Sequence, residues 1–179
     1  MSTPGDGGAG RGAPSGAGET LSTRQPTHQV MGGKYGEIER YVHRKVNTRR
    51  EDRSRDRLRG HPDLIDAAQS HARDMAKNDY TSHVDSSGAG HKERVPGEFV
   101  GENIASVPDQ GRRPSTIAEN AVASWMQSED HRENILRREY NRSGVGVWKR
   151  GEMVYLVQMF AASVPDREPS DHALLSSLF

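Results

Sequence analysis

The chain has 179 residues, with 25 Lys+Arg against 25 Asp+Glu and no cysteine. That length suits one domain of common size plus an appendage, and the balanced charge points to no particular partner. Without cysteine, disulfides, thiolate metal sites and cysteine nucleophiles are excluded, so the fold must rest on its hydrophobic core.

Residues 1–33 are Gly-rich and almost free of large apolar groups. Such a segment cannot offset its ordering entropy by burial, which predicts disorder. Its first twenty residues lack the apolar stretch of a secretory signal, and no apolar run approaches the roughly 18 residues of a membrane span. Read literally, the chain is soluble and cytoplasmic, although a lost leader or a misassigned start would leave the same picture.

Helical periodicity begins at Tyr35. Tyr35, Ile38, Val42 and Val46 fall three or four apart, which predicts an amphipathic helix over 35–52. Its other face and the following turn carry Arg40, Arg44, Lys45, Arg49, Arg50, Arg53, Arg55, Arg57 and Arg59. Only one aromatic residue, Tyr41, interleaves. The segment therefore reads as a solvated face partly neutralised by Glu39, Glu51, Asp52 and Asp56, and a nucleic-acid partner is not expected.

Pro62 and Asp63 open a second helix, to about Asn78, with Leu64, Ala68, His71, Ala72 and Met75 on its buried stripe. His71 is expected to be a hydrogen-bonded core histidine. Residues 81–98 carry Ser86-Ser87-Gly88-Ala89-Gly90 and Pro96-Gly97 and read as loop. A third helix starts at Pro114, with Ile117, Ala121, Val122 and Trp125 toward the core, and a short fourth covers 129–137. Residues 143–149 read as a strand that turns at Arg150-Gly151 into a last strand over 152–161. That last strand is apolar on both faces, so helices must cover it on both sides. The tail from Ser163 is Pro-rich and ends in apolar residues that could dock on the domain or on a partner.

Several stretches together form a pattern: Asn47-Thr48-Arg49-Arg50, Leu64 to Ala76, Ser82-His83-Val84-Asp85, Gly101-Glu102-Asn103-Ile104-Ala105, Trp125-Met126-Gln127-Ser128, His131-Arg132-Glu133-Asn134-Ile135-Leu136, Gly144-Val145-Gly146-Val147 and Tyr155 to Phe160. In this order they resemble the CAP superfamily (SCP-like domain; cysteine-rich secretory, antigen 5 and pathogenesis-related proteins), in its shorter prokaryotic branch. The family is usually extracellular. The likeness places one domain at 34–162, between the segment 1–33 and the tail 163–179. It implies an α/β fold: a three-layer α-β-α sandwich with a small antiparallel sheet between helices.

It also implies a cleft lined by two histidines and two acids. The matching positions are His83, Glu102 and His131, while the second acid's place, three residues after Trp125, is held by Ser128. The adjacent Glu129 points elsewhere on a helix. Two imidazoles and one carboxylate allow three chemistries. His83, Glu102 and His131 could hold Zn²⁺ or another divalent cation with a water position open, the pattern of a hydrolytic, peptidase-like site. No His-Glu-x-x-His helix supports that reading. Ser128 as a nucleophile with His131 as its base would need a continuous helix between them, and Ser128 is more simply a helix cap. Otherwise the three residues are a hydrogen-bond network that pins loop 81–98, with Asn103 and Asn134 satisfying backbone groups. That network is compatible with a cleft for a peptide, glycan or lipid-like ligand. A binding or interaction module is therefore the preferred expectation, and a metal-dependent hydrolase its alternative.

Overall fold

The structure, a computed structural model, describes residues 34–95 and 97–164. The expectations for 1–33 and for the tail beyond Val164 lie outside the described residues.

The first helix, α1, spans Lys34–Glu51 and buries Ile38, Val42 and Val46, as the periodicity requires. Each such side chain contributes about 1.5–3 kcal/mol on leaving water. A two-residue strand, β1 (Arg59–Gly60), leads into α2 (Pro62–Asn78). Pro62 sits in the first turn of α2, and Asp79 ends the helix in the left-handed conformation, its N–H bonding Met75 O. The segment read as loop contains one short helix, α3 (His91–Arg94). Then come β2 (Glu98–Pro108), α4 (Pro114–Gln127), α5 (Glu129–Leu136), β3 (Arg142–Arg150) and β4 (Met153–Ala162).

The sheet order is β1-β3-β4-β2. The three long strands are antiparallel, and β1 adds a parallel pairing of two residues to β3. One face carries Val154, Leu156 and Phe160 of β4 against α1, α4 and Ile135 of α5. The other carries Tyr155, Val157 and Met159 against α2. This is the expected three-layer α-β-α sandwich, and β4 is buried on both faces because helices cover it on both sides. On β3, Gly144 and Gly146 let α2 lie directly on the strand. A Cβ on Gly146 would stand 2.2 Å from the Ala68 carbonyl carbon.

The basic segment is less solvated than its composition suggests. Arg50 is fully buried and donates to the carbonyls of Asp56, Ile135, Arg137 and Tyr140, while Arg55 donates to Leu136 O. Two guanidiniums thus satisfy the carbonyls that the C-terminal end of α5 leaves without helical partners. Glu39 is half-buried and accepts from Gln69 Nε2 at 2.5 Å, with the charge of Arg40 acting on it.

Candidate functional site

The loop between α2 and β2 is tied down by three short-range devices. Asp74 accepts from Tyr80 Oη, from Ser86 N at 2.9 Å and from Ser86 Oγ at 2.6 Å. Burial pushes the Asp74 carboxyl up, but these bonds outweigh it and hold the group down at about 2. Asp85 accepts from Ser87 N, Ser87 Oγ and Ala89 N, closing the Ser-Gly turn. His71, 1 % exposed, bonds Ser82 O through Nε2 at 2.8 Å, so it is the expected core histidine. Because Ser82 O only accepts, Nε2 carries the proton. Burial lowers the His71 pKa.

This scaffold places His83 at the end of β2's buried carboxylate. His83 Nδ1 lies 2.8 Å from Glu102 Oε1, and Arg94 Nη2 lies 2.5 Å from Glu102 Oε2. The Glu102 side chain is 0 % exposed, that of Arg94 8 % and that of His83 46 %. Burial alone would raise the Glu102 pKa; the bond from His83 and the charge of Arg94 outweigh it and hold the carboxyl below its ordinary value. An ionised carboxylate only accepts, so His83 donates to it from Nδ1, and its Nε2 is the ring nitrogen left for other contacts. Arg94 also donates to His83 O at 3.2 Å and to Ala89 O at 2.9 Å, and Asp85 Oδ2 stands 3.7 Å from its Nη1. One guanidinium thereby joins the buried acid to the loop that carries His83.

His131, on the first turn of α5, brings its ring centroid within 6.0 Å of that of His83. On the opposite side His91, from α3, stands at 6.4 Å. Burial, the largest cause, holds both His91 and His131 below the usual imidazole range, and each is lowered further by His83. The helix is fixed to β2 by amides: Asn103 Nδ2 donates to His131 O at 3.0 Å, and Asn134 Nδ2 donates to Glu102 O at 3.1 Å and to Asn103 Oδ1 at 3.0 Å. Trp125 Nε1 donates to Ile104 O at 2.8 Å and holds α4 on the same strand. Gly101 is required for this closeness, since a Cβ there would fall 2.4 Å from Tyr140 Oη and 2.8 Å from Asn134 Oδ1.

Ser128 occupies the junction between α4 and α5 with extended backbone at φ −82°, ψ 132°. The helical path therefore breaks at Ser128 itself, and no hydrogen bond joins it to His131 among the described residues. Ser128 is the N-cap by position, but its hydroxyl makes no cap bond; only its carbonyl accepts, from Arg132 N.

Sequence reasoning passed over Arg94 and His91. Both fall in a stretch punctuated as loop, and a four-residue helix has no periodicity to display them. A second serine–histidine contact, His43 Nδ1 to Ser143 Oγ at 3.2 Å, is structural. Asn47 Oδ1 accepts from Leu58 N, so its Nδ2 is the donor that meets His43 Nε2 at 3.2 Å. His43 must then donate from Nδ1, leaving the buried Ser143 hydroxyl without a base.

The fit of a divalent ion turns on the donor set. Both oxygens of Glu102 and one nitrogen of His83 are engaged within the protein. The nitrogens left to an ion are His83 Nε2 and those of the neighbouring imidazoles, with Glu102 as the outer partner that orients His83. Among the described residues no three His, Asp or Glu side chains converge as ligands. The three-ligand set of His83, Glu102 and His131 does not fit this arrangement.

The chain is 37 % identical over 87 residues to the uncharacterized membrane protein YlbC of Bacillus subtilis, a match covering 46 % of this chain and 23 % of that protein. This chain thus matches less than a quarter of that relative's length. Among solved structures, an extracellular protein containing an SCP domain from Bacillus anthracis superposes with a TM-score of 0.61 at 24 % identity, over 72 % of this chain and 41 % of the other. NaASP2, solved with Zn²⁺, gives a TM-score of 0.55 at 14 % identity over 77 % and 90 %. At those identities the likeness is one of fold. Residues 43–160 match the family model described as CAP, cysteine-rich secretory protein family, which spans the whole constellation from His43 through Phe160. The chain belongs to the CAP (cysteine-rich secretory protein) family.

Proposed function

We propose that this chain is a CAP-domain binding module whose His83/His131 cleft receives a peptide or glycan through hydrogen bonds, with Glu102 as an internal anchor. The observation that carries this reading is the closed state of Glu102: one oxygen is taken by His83 and the other by Arg94. A carboxylate so committed orients an imidazole and neutralises a guanidinium. Each of its oxygens already accepts a bond from a protein group. What remains for a ligand is the Nε2 of His83 and the His131 ring, both suited to hydroxyl and amide groups.

The alternative, a metal-dependent peptidase-like hydrolase, is favoured by one fact, that the similar fold of NaASP2 was solved with Zn²⁺. Titration calorimetry with ZnCl₂ on the wild-type chain, E102Q and the H83A/H131A double variant separates the two. A binding module shows at most weak Zn²⁺ uptake through the imidazoles, reduced but not abolished in E102Q and lost in the double variant, and it leaves peptides uncleaved while binding them in a His131-dependent way. One tightly held Zn²⁺ per chain that E102Q abolishes, accompanied by Zn²⁺-dependent peptide cleavage, overturns it.

A further inference from the structure

Beside the cleft, at the N-terminal end of β2, lies a recess of about 310 Å³ lined by Lys92, Gly97, Phe99, Val100, Arg137 and Tyr140. It shares elements with the cleft: Lys92 follows His91 on α3, and Arg137 caps α5, which carries His131.

Phe99 is the unusual member. Between Glu98 and Gly101 the register of β2 against β4 shifts, since Glu98 pairs with Ala162 and Gly101 with Phe160. Three steps on β2 match two on β4, so β2 holds one extra residue there, a bulge that re-aims side chains. Phe99 falls within it at φ 49°, in the left-handed region that a bulky L residue rarely adopts, and its side chain is turned out to 59 % exposure. An aromatic ring held in solvent by a strained backbone, at the mouth of a recess, suits ligand contact.

The recess is also cationic. Lys92 and Arg137 are both exposed, and neither forms an ion pair with a described residue. Arg137 lies over the Tyr140 ring at 5.6 Å, and Tyr140 is fixed in turn by stacking on Phe160. The carbonyls at the C-terminal end of α5 would ordinarily repel an anion here. They are covered by Arg50 and Arg55, which adds positive charge behind the wall. Glu93, Glu98 and Glu139, the neighbouring acids in sequence, do not line the recess.

We propose that this recess is a second binding subsite, which takes a peptide carboxylate flanked by an apolar or aromatic side chain. The carboxylate sits between Lys92 and Arg137, and the side chain packs on the exposed ring of Phe99. The proposal rests on the peptide reading of the neighbouring cleft and specifies which peptides reach beyond it.

The test is an amide NMR titration of the full chain with N-acetyl-Ala-Phe, carrying a free carboxylate, and with its C-terminal amide. The free acid should shift Phe99, Val100, Arg137 and Tyr140 saturably and bind about tenfold more tightly than the amide, the worth of one charge-assisted contact. K92Q/R137Q, in which both altered side chains are exposed and folding is checked on the unchanged Val157 signal, should bring the acid down to the affinity of the amide. F99S should weaken both. Equal affinity of acid and amide for the wild-type chain, or an unchanged acid affinity in K92Q/R137Q, overturns the subsite. Shifts at His83 and His131 without shifts at Phe99 sink the subsite while leaving the cleft reading intact. Shifts at Phe99 that persist in H83A/H131A uphold the subsite even if the cleft binds nothing.

Discussion

Glu39→Gln should make the protein's stability less dependent on pH, and by an amount the structure sets. Glu39 lies on α1, and Gln69, which donates to it at 2.5 Å, lies on α2, across the edge of β3. Gln69 Oε1 in turn accepts from Val147 N at 3.2 Å, on an edge that β1 covers only at Arg142 and Ser143. The acid is therefore part of the cover on an otherwise open strand edge. Burial pushes its pKa from 4.5 to about 7, against smaller lowering contributions from Val147 and Arg40. Because the folded value is the raised one, the folded state binds more protons than the unfolded state between those two pH values. Stability from this group is complete below about pH 4.5 and is lost as pH rises through 7. At about 1.4 kcal/mol per pKa unit, the loss is about 3 kcal/mol. Gln at 39 keeps an acceptor for Gln69 and never ionises. The stability of E39Q relative to the wild-type chain should therefore climb by about 3 kcal/mol between pH 4.5 and pH 8. Urea unfolding followed by the fluorescence of Trp125 and Trp148, at half-unit steps of pH, measures this directly. A difference between the two proteins that stays flat across that range would refute the burial argument, whatever its sign.

Three further substitutions probe the supports of the site. Gly146→Ala should cost about 3 kcal/mol or more, because its Cβ would meet the α2 backbone at 2.2 Å and neither element can yield alone; urea unfolding reads the loss. Arg50→Met should cost a similar amount, about 3 kcal/mol, since it strips buried carbonyls at the end of α5 of their donors, and a drop in melting temperature of several degrees would show it. Asp74→Asn should speed amide exchange at Ser86 and Ala89 with little change at Val157, because the bonds that hold its carboxyl down at about 2 also hold the loop that carries His83. In the wild-type chain that contribution is present above the ordinary carboxylate value and disappears as pH falls toward 2.

The four longer helices and the last two strands were legible because burial writes a period into the sequence. Ile38, Val42 and Val46 repeat at helical spacing, and β4 is apolar on both faces because helices cover it on both sides. Strand β2 escaped for the opposite reason. Its buried positions include Gly101, Glu102 and Asn103, which are polar or small because they tie α5 and the loop to the sheet, so the alternation that marks a strand is absent where the site is built. The two residues of β1 are too few to carry any pattern. The basic segment misled in a related way. Charge composition cannot distinguish an arginine in solvent from one like Arg50, whose guanidinium makes four hydrogen bonds to backbone carbonyls in the interior.

The same limit applies at the centre of the site. His83, Glu102 and His131 stand out in the sequence as a possible ligand set, and the chemistry they perform depends on a fourth residue that does not. Arg94 belongs to a four-residue helix in a stretch of turn residues, and its guanidinium reaches Glu102 only because Asp74 and Asp85 shape the loop before it. With Arg94 in place the buried carboxylate is neutralised from within, His83 donates to it from Nδ1, and Nε2 is left for other contacts. The ion pair with Arg94 ties the buried Glu102 to the loop that carries His83, and no periodicity in that stretch of the sequence announces it.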